Sequence, residues 1–460
     1  MKSAQSREEK FVRMTQTPIK RLVLTLAVPT IISMMITSLY NMADTYFVGM
    51  IGTSTTTGAV GVAMSIMSLI QAIGFTVGMG SGNTLSQYLG KQDVKMAERV
   101  ASTGFFTAFS IGAVFSAICL IFLDKIVLFL GATDTIVPVA KDYIRIILYA
   151  APFMISTFTL NNIIRYQGNA VYSMVGIAIG GVLNIFLDPL FILTFDMGIE
   201  GAAWATAISQ VVSFTVLLAA CFKGNNIRIR IKDFTFRYGV HKKIFVVGMP
   251  SFFRQGMASI AAILLNYYAG IHGGDPAIAA MTVVTKVFML AQSMLIGFGQ
   301  GFQPVCGFNY GAGLYKRVRE AFFFCVKVGI GILAAFSVIA LIFAPEFVAL
   351  FRDEPEVIVI GAEAMRYQAV LFPLSAWVMM SNMLLQATEK PFAASFLSIA
   401  RQGLCFIPTI VILSALFDLP GVQVSQAVAD VLSFCIALPM GIKAIKELTV
   451  NGDSPVEKNI

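Results

Sequence analysis

Two acids lie in stretches that are otherwise strongly apolar: Asp44 in SLYNMADTYFVG and Asp188 in GGVLNIFLDPLFIL. A charge held within hydrocarbon is costly and marks function by default. At about 1.5 Å per helical residue, Asp44 falls near the outer end of an inside-to-outside helix. Asp188 lies about 18 residues into another such helix, and Thr206 about seven residues into a helix descending from outside. Tyr143, about five residues into its span, shares that level. Asn184 is on the face of Asp188 one turn deeper, and Asn161 is deeper still. Two neighbouring carboxylates in low dielectric repel, so one keeps a proton more readily. Such a pair can carry a proton near neutral pH, or hold sodium with Asn and Thr oxygens as further hard ligands. The alternative is two separately paired structural acids. Pro189 adds a local break, because it leaves the carbonyl of residue 185 without its usual donor, a place for water or an ion.

The elements that must position these residues follow from composition. Of 460 residues, 57% are hydrophobic and only 13% charged, with a mean hydropathy of +0.79; an ordinary soluble chain is about 25% charged. A soluble enzyme, a disordered chain and a nucleic-acid binder are excluded. Each membrane helix needs about 20 mostly apolar residues. Apolar runs are read at 22–50, 57–80, 98–122, 138–166, 170–194, 199–221, 243–271, 276–303, 318–344, 357–386, 392–417 and 421–445. The predicted fold is therefore an all-α membrane protein of twelve transmembrane helices.

The net charge of +8 sits between these runs and sets topology. The N-terminus is basic, as are the second-to-third, central and eighth-to-ninth connections, where Lys91, Lys95, Arg99, Arg228, Arg230, Lys316 and Arg317 lie. Alternate connections are neutral or acidic, with Asp196, Glu200, Asp275, Asp353, Glu354 and Asp418. Both termini are thereby expected in the cytoplasm, and the chain in the plasma (cytoplasmic) membrane. No cleavable signal peptide is read, because the polar, basic start is followed by a run long enough to span. Six cysteines fall in or beside apolar runs without CxxC spacing and read as small core residues. With only His241 and His272, no His-based metal site is expected.

The chain repeats at an offset of about 221–223. Pro29 corresponds to Pro250, IGFTVG (73–78) to IGFGQG (296–301) and Tyr88 to Tyr310, while Arg145, Pro152 and Asn161 correspond to Arg366, Pro373 and Asn382. Six spans per copy give both copies one orientation, the parallel-repeat plan of secondary transporters with substrate between the halves. The expected organisation is a cytoplasmic segment 1–21, a first six-helix lobe 22–221, a basic linker 222–242, a second lobe 243–446 and a tail 447–460. The copies differ in charge. Leu265 stands for Asp44 and about Val411 for Asp188, which confines the candidate cation site to the first half.

These features resemble the multidrug and toxic compound extrusion (MATE) family, and within it a MepA-like bacterial subgroup. The residues carrying the likeness are Pro29 and Asp44 with the following FVG, Gln71 with GF, Asn184 with Asp188, Thr206, and GFGQGFQPVCGFNYGAG (297–313). The likeness covers essentially residues 15–447. It implies a V of two pseudo-symmetric six-helix lobes and antiport of cationic or amphipathic compounds against protons or sodium. It assigns the cation site to Asp44, Asn184, Asp188 and Thr206, with Asn161 and Tyr143 nearby, and helix bending to Pro29. One departure is plain: PSFFRQGMASIAAILLN (250–266) lacks the acid that NorM-type relatives carry on the seventh span. The second half instead carries Arg254, Lys286 and Arg401 at intramembrane depth, with Asp430 in the twelfth span. Asp430 paired with Lys286 or Arg401 is the first reading; a substrate or gate role is the other.

Thirty-eight Phe and 23 Met suit a promiscuous, adaptable pocket, although any single one is more ordinarily lipid-facing or core. Glycines 74, 78, 80, 82, 297, 299 and 301 permit close helix packing. The GMGSGN run lacks the strand and Lys-Ser/Thr of a phosphate loop, so nucleotide is not expected and an ion gradient supplies the energy. The basic linker is expected to lie on anionic headgroups. The expected activity is multidrug export by alternating access, not enzymatic, by a monomer using no cofactor beyond the coupling ion. The rivals are a lipid-linked precursor flippase, an intramembrane enzyme and a channel.

Overall fold

The structure, a computed structural model, describes residues 2–50, 54–223, 226–450 and 452. The start of the 51–57 connection and most of the 447–460 tail lie outside the described residues. Among the described residues there are fifteen α-helices, joined by turns and one longer linker, and no strand. They are α1 (Lys2–Gln16), α2 (Ile19–Met50), α3 (Ser54–Gly90), α4 (Val94–Ile121), α5 (Leu123–Phe129), α6 (Val137–Tyr166), α7 (Ala170–Pro189) and α8 (Gly198–Cys221). After the linker come α9 (Tyr238–Gly311), α10 (Tyr315–Ile342), α11 (Ala344–Ala349), α12 (Pro355–Leu371), α13 (Ser375–Ala387), α14 (Pro391–Ile399) and α15 (Ile407–Val450).

Among the described residues, ten helical stretches are long and apolar enough to cross a bilayer. Two of them turn back on themselves. α9 is interrupted at Gly274 (φ 60°, ψ −158°), and α15 at Asp418 (φ 52°, ψ −131°). Gly274 costs little there, whereas Asp418 is strained. Counting both arms of each gives the twelve crossing segments read from hydropathy. The tenth is α12 and α13 joined through a 3₁₀ turn at Phe372–Leu374. The fifth continues from Pro189 as a π-helical turn, Leu190–Thr194, and the eleventh contains a second one, Ala400–Phe406.

The chain forms two compact units: Met1–Thr17 with Val28–Gly248, and Pro18–Ala27 with Met249–Ile460. Division by packing is thus not division by repeat, because the two copies exchange the beginnings of their first helices. Glycines account for the exchange. In the first unit a Cβ on Gly80 would stand 1.9 Å from the Ile244 carbonyl oxygen, and one on Gly248 the same distance from that of Thr76. In the second unit a Cβ on Gly301 would stand 2.4 Å from Ala27 Cα. Backbones approach this closely only where no side chain intervenes. Pro29 and Pro250 each sit just past a crossover, inside α2 and α9.

In the first unit α6 is central, packed on α3, α4 and α8. Pro152 interrupts it and cannot donate to the Leu148 carbonyl; Ser116 of α4 donates instead, at 2.6 Å. The linker is fastened to this unit. Ile227 and Ile229 are buried while Arg228 and Arg230 face outward, and Gln167 Oε1 accepts from the Ile227 amide at 2.7 Å. Of the six thiols, Cys435 alone is exposed.

Candidate cation site

The site is assembled by the close approach of α2 and α7. On α7, Gly181, Asn184 and Asp188 share one face by their 3- and 4-residue spacing. On α2, Ile36, Tyr40 and Asp44 do the same. A Cβ on Gly181 would lie 2.9 Å from Ile36 Cγ2 and 3.2 Å from Tyr40 Cδ1. The missing side chain at 181 is therefore what allows α2 to lie against the polar stripe of α7. Helix α8 brings Thr206 and α6 brings Tyr143, both buried.

Asp188 is fully buried and Asn184 is 3% exposed. Asn184 Nδ2 donates to Asp188 Oδ1 at 3.2 Å and lies 3.4 Å from Thr206 Oγ1. Asp44 and Asp188 are close enough to act on one another electrostatically, and both act on Tyr143. Tyr40 faces Asp44. The arrangement leaves oxygens unsatisfied: Asp44 Oδ1, Asp188 Oδ2 and Asn184 Oδ1 are buried without a hydrogen-bond partner among the described residues. Each such atom costs about 1–3 kcal/mol, and more when charged. Three of them on and beside two carboxylates, with no basic side chain paired to either acid among the described residues, form a site that a proton or a small hard cation would satisfy.

Asn161 is fastened to α7. Its Nδ2 donates to the Ser173 carbonyl at 3.1 Å and to Ser173 Oγ at 2.6 Å. Its counterpart Asn382 makes the same tie to the Ala394 carbonyl at 2.8 Å and to Ser398 Oγ at 2.9 Å. The amide nitrogen is a helix–helix fastening in both halves, and Asn161 Oδ1, the atom that could ligate an ion, accepts from Arg165 Nη1 at 3.5 Å. Pro29 is buried, and α2 remains helical through it. In the second unit Asp430 is paired with Arg401 at 3.1 Å, not with Lys286, which is exposed. Arg254 and Arg401 line a cavity with Leu265, the residue that stands for Asp44.

Sequence reasoning passed over Tyr40, Gly181 and Ser209. Tyr40 and Gly181 carried a signal, being one turn from Asp44 and Asn184 on the faces concerned. Ser209 Oγ, one turn past Thr206, is buried without a partner. Arg165, 1% exposed and bonded to Asn162, was also missed; an Arg near a helix end reads as a snorkelling surface residue.

The MatE family profile matches residues 29–190 and again 250–412, once in each repeat. This chain belongs to the MatE family. It is 25% identical over 455 residues to a protein named multidrug export protein MepA from Staphylococcus aureus (strain MSSA476), covering 98% of this chain and all of that one. Among solved structures, an outward-facing multidrug resistance MATE transporter of the MOP superfamily superposes with a TM-score of 0.91 at 26% identity, covering 95% of this chain and 98% of the other. A MATE protein in the straight conformation gives the same score and identity, with 95% and 99% covered. The solved relatives have twelve helices in two lobes, and this chain is a multi-pass member of the same family.

Proposed function

We propose that this chain exports amphipathic and cationic organic compounds across the plasma membrane, driven by protons or sodium ions returning through the Asp44–Asn184–Asp188–Thr206 group. The observation that carries the reading is the set of buried, unsatisfied oxygens around two carboxylates in one half only. The relative named for multidrug export supports the substrate class. An ion arriving from outside neutralises the acids and gives the orphaned oxygens a partner, so it stabilises the conformation in which α2 lies against α7. A substrate that binds better to the other conformation is then exchanged for the ion. Net transport follows because each ligand favours a different state. Both termini and the basic linker face the cytoplasm in this reading. The protein acts as a monomer, and the ion is cargo rather than a resident cofactor.

The test is efflux of a fluorescent organic cation from vesicles under an imposed proton or sodium gradient. Gradient-driven efflux should vanish in Asp44→Asn and Asp188→Asn. Coupled efflux at the wild-type rate in both variants would remove the mechanism while leaving the family membership intact. Which gradient drives efflux decides between proton and sodium.

A further inference from the structure

The second unit contains a cavity of about 330 Å³, within the roughly 300–1,000 Å³ of small-molecule sites. Its lining comes entirely from residues 254–426 and includes none of the Asp44–Asp188 group. The apolar part is soft and aromatic, with Phe288, Phe372, Phe406, Met281 and Met379. Phe288 meets Phe372 edge to face, ring centroids 4.8 Å apart. Such a wall accepts varied flat or chain-like bodies.

The polar part is basic, with one of its two charges offset by Asp430 behind Arg401. Among the described residues lining the cavity there are two arginines, Arg254 and Arg401, and no Asp or Glu. Arg401 is held by Asp430 at 3.1 Å and by Ser375 Oγ at 3.4 Å, through Nε and Nη2. Its Nη1 has no hydrogen bond among the described residues. Gln292 has both side-chain polar atoms buried without a partner, and so is Gln402 Oε1. Arg401, Gln402 and Phe406 all belong to the π-helical turn Ala400–Phe406. Turns of this kind are rare and gather at functional sites. An ammonium group placed here would lose its water beside the guanidinium groups of Arg254 and Arg401, and the nearby carboxylate, Asp430, already accepts from Arg401 and Gln426. A carboxylate would gain charge-assisted bonds from Arg401 and a donor from Gln292 Nε2.

We propose that this cavity is a second ligand site, for amphipathic organic acids: an aromatic or alkyl body carrying a carboxylate. It adds an anionic class to the cationic and amphipathic substrates of the proposed function and does not depend on the coupling mechanism.

The experiment is equilibrium binding to the full chain in lipid nanodiscs, without any gradient, so that its outcome is independent of whether Asp44 and Asp188 couple transport. The probes are radiolabelled 6-(2-naphthyl)hexanoate, its neutral amide and the matching ammonium compound. The acid is expected to bind at least tenfold more tightly than the amide and to be displaced little by the ammonium compound. Arg254→Gln and Gln292→Leu should each weaken the acid at least tenfold, and Ala258→Trp, which fills the lining, should abolish its binding. Competition by an alkyl carboxylate of equal length separates two sources of the same chemistry: equal affinity indicates a lipid-derived acid, weaker affinity a free aromatic one. Either supports an acid site. Equal binding of acid and ammonium to the wild-type protein would overturn the proposal, whatever the variants do. So would acid binding undiminished in folded Ala258→Trp.

Discussion

Gly181 offers the sharpest test of how the cation site is built. Its absent side chain leaves α2 and α7 close enough that a Cβ would sit 2.9 Å from Ile36 Cγ2, whereas carbon atoms rest about 3.5–4.0 Å apart. Gly181→Ala therefore asks α2 to yield by roughly 0.6 Å or more, and Gly181→Val, with two further carbons, by roughly 1–2 Å. Overpacking of this kind costs about 1–3 kcal/mol of stability. Its specific effect is on the acids, because Asp44 rides on the displaced face. Loss of one charged ligand interaction is worth about 1.5–3 kcal/mol, or roughly 10- to 150-fold in ion affinity. The measurement is the half-saturating external proton or sodium concentration for efflux of a fluorescent cation. Gly181→Val should raise it at least tenfold, and Gly181→Ala a few-fold. The control is Gly176, lower on the same helix, where a Cβ would stand 2.2 Å from Leu217 Cδ2 on α8. Gly176→Ala should lose stability without moving the half-saturation point. A folded Gly181→Val protein with wild-type ion dependence would refute this account of the site, as would Gly176→Ala shifting the ion dependence equally.

Three further outcomes are expected. Arg401→Leu leaves Asp430 buried without its cation and should cost about 3–5 kcal/mol in denaturant unfolding from micelles, most of it regained in Arg401→Leu/Asp430→Leu; equal losses in the single and double variants would show that the pair is not the cause. Asn161→Ala and Asn382→Ala should each cost about 1 kcal/mol and leave ion half-saturation unchanged; a tenfold shift in the first would return Asn161 to the ion site. Asp418→Gly should raise the melting temperature, because strain of about 1 kcal/mol or more at φ 52° is relieved while the exposed pair with His272 at 3.2 Å is worth less than about 1 kcal/mol; a lower melting temperature would mean the pair matters more than the strain.

The twelve crossings, the duplication and the two misplaced acids were all legible in the sequence. Each crossing must satisfy the hydrocarbon on its own, so each leaves a local apolar signature, and an acid inside one stands out for the same reason. Local patterns also gave Asn184 and Thr206 as companions of Asp188, since shared depth and one helical face follow from residue counting. The resemblance, not the counting, placed Asn161 near the site. Depth says nothing about direction around the bundle, and Asn161 turns to Ser173 instead.

What only the tertiary structure decided is which segments distant in sequence touch. Lys286 and Arg401 were equal partners for Asp430 on the page, and packing chose Arg401. The exchanged helix beginnings, Pro18–Ala27 and the residues up to Gly248, follow no repeat boundary, because they are set by glycine contacts such as Gly80 with Ile244. Tyr40 and Gly181 became part of the site only when α2 lay on α7. Membrane insertion is a property of each segment and can be read along the chain, whereas close packing is a property of pairs of faces and exists only once the faces have met.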